Sequence, residues 1–174
     1  VDDIWSALNS TIFVVPDSTL RVSEIHYHPA RPLDGVRSDD DLEFVELQNV
    51  GDVSIGLSGI RVAGEVRFEF TGVTSVAAGG FVVLVRNLEA FEERYGTDVP
   101  VGGEYDGNLS NGGGTITLHD ALGVEVQAFS FADTWHPVTD GGGRSLVMVD
   151  PAMNDLDAWN QRFNWQPSSV EGGT

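Results

Sequence analysis

The stretch DGNLSNGGGTITLHD, residues 106–120, decides the fold of this chain. Asn111 is followed by three glycines, residues 112–114, and this marks a place where the backbone bends sharply, because only glycine adopts positive φ freely. From Thr115 to His119 polar and apolar residues alternate, which is the period of a half-buried β-strand. The stretch therefore predicts a glycine turn that leads directly into a strand.

The same pattern of short strands and turn signals recurs along the chain. The predicted strands are residues 20–28, 43–50, 55–63 with an interruption at Gly59, 67–70, 81–85, 115–119, 124–132 and 145–150. The segment FVVLV, residues 81–85, is apolar throughout and is expected in the interior of its sheet. Asn87 predicts the N-cap of one short helix at about residues 88–95, and Gly96 predicts its end.

Short strands separated by turns, together with one helix, predict an all-β domain built as an antiparallel two-sheet sandwich. An up-and-down barrel is the alternative architecture. The predicted sandwich covers residues 20–174. Residues 1–19 are expected to form a linker or an added edge strand.

Charge is the unusual feature of the composition. The 27 acidic and 9 basic residues give a net charge of −18 and a pI near 4.2, and every basic residue is arginine. Such a charge repels phosphate backbones and anionic lipid headgroups, so nucleic acid is not an expected partner. The acidity favours a soluble domain in a salty or extracellular setting.

Cysteine is absent, which excludes disulfides, thiolate nucleophiles and cysteine metal sites. No apolar run approaches the ~20 residues that span a bilayer, so membrane insertion is not expected. Both ends read as cuts through a longer protein, and we expect a monomeric domain within a multidomain chain. The sequence also lacks the P-loop, G-x-S-x-G and H-E-x-x-H motifs, so it offers no catalytic residues.

Eight short phrases, taken in order, carry a family resemblance. They are SEIHYHP (23–29), EFVELQN (43–49), LSGI (57–60), AGGF (78–81), Phe91 with Tyr95-Gly96, LSNGG (109–113), DGGGRSL (140–146) and EGGT (171–174). This order resembles the lamin tail domain of large secreted or surface-attached bacterial proteins. The resemblance implies an immunoglobulin-like β-sandwich without enzymatic activity, an extracellular or cell-surface location, and a role as an accessory module beside enzymes or adhesion units.

The leading hypothesis is therefore a non-catalytic module that binds or spaces neighbouring domains or a protein partner. Its contacts are expected through loops or through an open sheet edge that accepts a partner strand. The rival is a carbohydrate-binding module that uses Trp135 and Tyr105 as a stacking platform, with His136 beside them. The simpler interpretation of Trp135 is that it folds back to cap one end of the sandwich.

Residue spacing offers two candidate metal sites. Asp39, Asp40, Asp41 and Glu43 could supply the oxygen ligands that Ca²⁺ prefers, although they do not match the EF-hand pattern. His26 and His28 are expected on one face of their strand, where they could bind zinc only with a distant third ligand. Acidic loops are common in a chain of this charge, so the sequence predicts no cofactor, with Ca²⁺ as the alternative.

Overall fold

The computed structural model describes residues 18–32, 35–72 and 74–173. These residues form thirteen strands: β1 Leu20–His26, β2 Phe44–Asn49, β3 Ile55–Gly56, β4 Arg61–Gly64, β5 Val66–Glu69, β6 Ser75–Val76, β7 Phe81–Val85, β8 Val101–Glu104, β9 Asp106–Gly107, β10 Gly114–His119, β11 Glu125–Phe131, β12 Leu146–Met148 and β13 Trp165–Pro167. The only α-helix in this part of the chain is α1, Leu88–Tyr95. The expected linker or edge strand at residues 1–19 lies almost entirely outside the described residues.

The strands form two main sheets, which confirms the predicted sandwich. One sheet has the order β13-β12-β1-β2-β7-β8, the other β11-β10-β4-β5-β9, and β3 pairs with β6 in a small ribbon. Strand β7 lies between β2 and β8, as its apolar sequence predicted. The β7–β8 pair is parallel, whereas the other strand pairs between described residues are antiparallel.

The predicted helix is confirmed with its caps. The Asn87 side chain accepts a hydrogen bond from the Ala90 amide at 3.1 Å, which satisfies one of the unpaired N–H groups at a helix start. Gly96 ends the helix with φ 83°. The buried residues of α1, Ala90 and Phe91, pack its inner side on the outer face of the first sheet, where Phe91 contacts Phe44.

The main core lies between the two sheets and consists of apolar side chains from both. Its largest fully buried members are Trp159, Trp165, Tyr27, Phe129, Leu20, Ile25, Leu47, Leu57, Leu84, Leu109, Ile116 and Leu118. Each such side chain contributes about 1.5–3 kcal/mol relative to an exposed position. Because the chain has no cysteine, this packing is the main source of its stability.

A bulge in β1 changes which side chains share a face. The pairing of β1 with β2 shifts register between Val22 and Glu24, so strict alternation breaks there. Leu20 and Val22 point into the core, but so do Ile25 and Tyr27, and Glu24 is thereby turned to the outer face. Residue 24 therefore lies on the opposite face from residues 20 and 22, which strict alternation along the predicted strand does not allow.

The C-terminal segment contributes to both the core and the first sheet. Strand β13 was not predicted, and it extends the first sheet by pairing with β12. Trp159 and Trp165 are buried in the main core, whereas Phe163, between them, is 77% exposed.

The glycine turn that precedes β10 yields a direct test. Gly113 has φ 102°, and a Cβ at this position would lie 2.5 Å from the Phe131 carbonyl oxygen on the paired strand. Gly112 has ordinary backbone geometry, and a Cβ there would approach only Ser110 Oγ, at 3.9 Å. We expect Gly113→Ala to lower the free energy of unfolding by roughly 2–4 kcal/mol and Gly112→Ala to change it by less than about 1 kcal/mol. Urea unfolding of both variants measures this, and equal losses would contradict the assigned turn.

Candidate functional site

Glu43 is a buried carboxyl that joins two of the phrases in the sequence. Its Oε2 accepts hydrogen bonds from the Leu109 amide at 2.8 Å and from the Tyr105 hydroxyl at 3.1 Å. Leu109 begins the LSNGG phrase, and Glu43 begins the EFVELQN phrase, so one side chain fixes the glycine turn to the start of β2. Burial raises the pKa of Glu43 to about 8, and the hydrogen bonds from Leu109 and Tyr105 oppose that rise.

The raised pKa of Glu43 predicts a pH-dependent stability. The folded state holds the proton more tightly than the unfolded chain, so the stabilisation is complete below about pH 4.5 and is lost as pH rises through about 8. The free energy of unfolding should therefore decline across this pH window. We expect Glu43→Gln, which cannot ionise, to make that decline smaller by roughly 3–5 kcal/mol. Urea unfolding near both limits measures the slope, and identical slopes for variant and wild type would contradict the assignment.

Asn49, at the end of the same phrase, is a second buried clamp. Its Nδ2 donates to the carbonyls of Val53, Val76 and Ala77 at 2.8–3.1 Å. Its Oδ1 accepts from the Thr19 hydroxyl and from the Gly51 amide, at 2.8 and 3.0 Å. Asn49 thus organises the turns on either side of the β3–β6 ribbon, which is a structural role.

The SEIHYHP phrase is tied to the loop before β12 by its aromatic and histidine residues. The buried Tyr27 hydroxyl lies 3.1 Å from Thr139 Oγ1. His28 contacts Asp140 through Nδ1 at 2.6 Å and Asp39 through Nε2 at 3.5 Å, and its carbonyl accepts the Gly141 amide. These contacts join two loops that are distant in sequence.

The predicted stacking platform does not assemble. Tyr105 is only 2% exposed, and its hydroxyl donates a hydrogen bond to Glu43, so its ring cannot face a sugar. Trp135 is half-buried and packs against the core, and its ring centroid lies 6.3 Å from that of Trp165. His136 Nε2 contacts the Trp165 carbonyl at 2.9 Å. Trp135 therefore caps the sandwich, as in the simpler interpretation.

The calcium ligand set is separated in the structure. The buried Glu43 carboxyl faces Tyr105 and Leu109, which removes it from the set. Asp41 accepts from the Ser38 amide and from Asn87, and the Ser38 hydrogen bond is the main cause of its lowered pKa. Within residues 18–32, 35–72 and 74–173, no group of three or more acidic or histidine side chains is arranged to hold a metal ion. Calcium binding by Asp39, Asp40 and Asp41 alone stays a prediction for calorimetry.

The two histidines considered for zinc have different surroundings. His26 is buried beneath α1, with its ring 5.4 Å from Phe44, and neither ring nitrogen has a hydrogen-bond partner in the described part of the chain. Burial, followed by the charges of Arg94 and His28, lowers the pKa of His26 to about 3, so the ring is neutral. His28 is engaged with Asp39 and Asp140 instead, and the two imidazoles do not form a chelating pair.

A groove on the outer face of the first sheet was not predicted from the sequence. We call it the helix–tail groove: its floor is formed by β1, β2 and β7, one wall by α1, and the other wall by residues 170–173. It has a volume of about 240 Å³ and is lined mainly by apolar side chains. Glu24 and Glu46, which are cross-strand partners, lie in its floor. The available signal was a carboxylate in each of two neighbouring predicted strands, but the β1 bulge hid their shared face.

Two wider recesses have a mixed character. One, of about 730 Å³, lies on the second sheet, where Arg61 and Arg67 stand among Glu69, Glu104 and Asp106. The other, of about 710 Å³, is lined by residues near the start of β1, by the turn between β10 and β11, and by the loop after β12. Neither presents a single sign of charge or an aromatic platform.

The sheet edges are largely protected. On the edge strand β13, the Trp165 carbonyl contacts His136, and Pro167 has no N–H to donate. On β11, the Ser130 amide donates to Asn160 Oδ1. Strand β8 is short and irregular in register, and β9 has two residues. These are the devices by which proteins discourage strand addition at an edge.

The structure also bears on membrane insertion. None of the helices formed by the described residues is long and apolar enough to cross a bilayer.

Comparison with known proteins identifies the family. A model of the lamin tail domain matches residues 16–133, which is more than half of the chain. No curated protein matches the chain. The matched region contains the sandwich strands from β1 to β11, the helix and the Glu43 and Asn49 clamps. The chain belongs to the lamin tail domain family.

Proposed function

We propose that this domain is a non-catalytic interaction module of a larger secreted or cell-surface bacterial protein, where it binds or spaces neighbouring domains or a protein partner. The observation that carries this proposal is the role of the polar and tyrosine side chains within the phrases that resemble the family. Glu43, Asn49 and Tyr27 are buried and hold loops in place, so they support a scaffold rather than a reaction.

Surface features favour contacts through faces and loops over strand addition. The edge strands β13 and β11 have backbone groups occupied by His136 and Asn160. A net charge of −18 disfavours nucleic acid and favours a partner that presents basic groups. The acidity is also in keeping with an extracellular location.

Glycan binding is the competing hypothesis. The stacking platform would need two accessible aromatic rings, but Tyr105 is buried and Trp135 is half-buried and packed on the core. A glycan array with the wild type and Trp135→Ala tests it: binding that disappears in the variant would favour a lectin, and no binding would leave the interaction module as the better account.

Deletion from the parent protein tests the leading proposal. Mass spectrometry of the intact parent protein should detect specific cross-links between residues 18–173 and neighbouring domains or a protein partner, and removal of these residues should leave the catalytic rate of any adjoining enzyme domain unchanged. Hydrolytic turnover by the isolated domain, or a complete absence of specific cross-links in the intact protein, would contradict the proposal.

A further inference from the structure

The helix–tail groove has three defined sides. Phe44 and Glu46 lie in its floor, Tyr95 belongs to the helix wall, and residues 170–173 form the opposite wall. The tail is fixed by the Gly172 amide, which donates to the Gly143 carbonyl at 2.7 Å. A Cβ on Gly172 would lie 2.6 Å from the Tyr95 ring, so glycine allows the tail to approach the helix closely. The groove is therefore a built feature of the folded chain.

Its chemistry combines apolar walls with negative charge. Three glutamates, Glu24, Glu46 and Glu171, line it, and none of its lining residues is basic. The nearest positive charge from the helix wall is Arg94, whose side chain hydrogen-bonds to Tyr95. Two apolar side chains at its rim are accessible: Phe81 is 40% exposed and Val170 is 56% exposed. Aromatic faces beside carboxylates form an environment that attracts organic cations.

Glu46 is the carboxylate best placed to meet a cation. Its side chain accepts a hydrogen bond from Ser23 Oγ at 2.6 Å, and no ion pair to Glu46 is formed by the described residues. Burial, followed by the nearby charge of Glu24, raises the pKa of Glu46 to about 7. A bound cation would offset both effects and favour the ionised carboxylate.

We infer that the helix–tail groove receives a basic side chain, lysine or arginine, presented by a partner protein. The aliphatic stem packs against Phe81 and Val170, and the charged end meets Glu46. This inference rests on the proposed interaction function and names its contact surface. The chain itself contains no lysine, and its charge of −18 steers basic partners toward it.

A nuclear magnetic resonance titration with Nα-acetyl-lysine methylamide tests the groove directly. We expect saturable shifts at millimolar concentration for the rings of Phe44, Phe81 and Tyr95. The norleucine analogue has the aliphatic stem without the charge. Its affinity, read from the same shifts, should be weaker by about tenfold or more. Equal affinity for the two probes, shifts that spread over exposed carboxylates, or no saturable shift would overturn the inference.

Variants make the assignment specific. Glu46→Gln keeps the size and the Ser23 contact but removes the charge, and should weaken lysine binding about tenfold, whereas Glu125→Gln, at an exposed site on β11, should leave it unchanged. Phe81→Ala, at the rim, should weaken both probes. If Glu46→Gln alters the fold, the Phe81 variant still decides the question, and unchanged affinity in it counts against the inference.

The pH dependence provides an independent readout. Among the described residues, the charged and titratable groups near Glu46 are Glu24 on β1, Tyr95 and its neighbour Arg94 on α1, and Glu171 on the tail. Lysine should bind more tightly as pH rises through about 7 and Glu46 ionises, and binding should lower the pKa of Glu46. A flat profile in the wild type would contradict a charged contact.

Failure of this inference is distinguishable from failure of the proposed function. If the parent protein shows specific cross-links to its neighbours that Glu46→Gln leaves intact, the domain is an interaction module that uses another surface. If specific cross-links are absent, the proposed function fails, and lysine binding by the isolated domain then reports on the groove alone.

Discussion

A chain that ends at residue 133 will not form the sandwich, even though it contains the whole region matched by the family model. The missing part supplies β12, which pairs with β1 in the middle of the first sheet, and β13, which pairs with β12. It also supplies Leu146, Trp159 and Trp165 to the main core. Losing this buried surface removes stabilisation comparable to the whole stability of a domain, about 5–15 kcal/mol.

Circular dichroism and thermal unfolding measure the result. We expect the 1–133 chain to show no cooperative transition and poor dispersion of its amide resonances, whereas the 174-residue chain unfolds in one step. A truncated chain with a native-like transition would show that the C-terminal segment is an addition to a complete domain.

Replacing Trp165 by alanine should cost about 3–5 kcal/mol of unfolding free energy. The Trp165 ring is 2% exposed and stacks on Phe129 at 5.4 Å, and its Nε1 donates to the Trp159 carbonyl at 2.9 Å. Alanine therefore leaves a cavity and also an unpaired carbonyl.

Phe163→Ala is the matched control, because Phe163 lies two residues away on the same segment but is exposed to solvent. We expect it to change stability by less than about 0.5 kcal/mol. Urea denaturation of both variants gives the comparison. Similar losses would mean that the segment contributes only general hydrophobicity, and a silent Trp165→Ala would contradict its place in the core.

Local signals predicted the elements whose residues carry their own pattern. The glycine turn and strand at 112–119, the apolar strand β7 and the capped helix α1 all appear where the sequence placed them. Strands β8 and β13 were missed because two glycines and a three-residue Trp-Gln-Pro strand resemble loops. Their strand character depends on pairing partners distant in sequence, which periodicity does not reveal.

The candidate site was less predictable for the same reason. Tyr105 was expected at the surface, but its hydroxyl finds Glu43, 62 residues earlier in the chain. Glu24 and Glu46 come together only through the register of β1 and β2, after a bulge that alternation cannot detect. A single sequence shows the residue types of a site, but the contacts that group them are long-range.

Native-state hydrogen exchange tests the central claim most directly, namely that residues 20–173 form one cooperative core without a metal or a disulfide. We expect the slowest amides of β1, β10 and β12 to exchange through the same global unfolding event, with one free energy, unchanged by a chelator. Exchange in β12 and β13 that is much faster than in β10, or protection lost on chelation, would contradict this account.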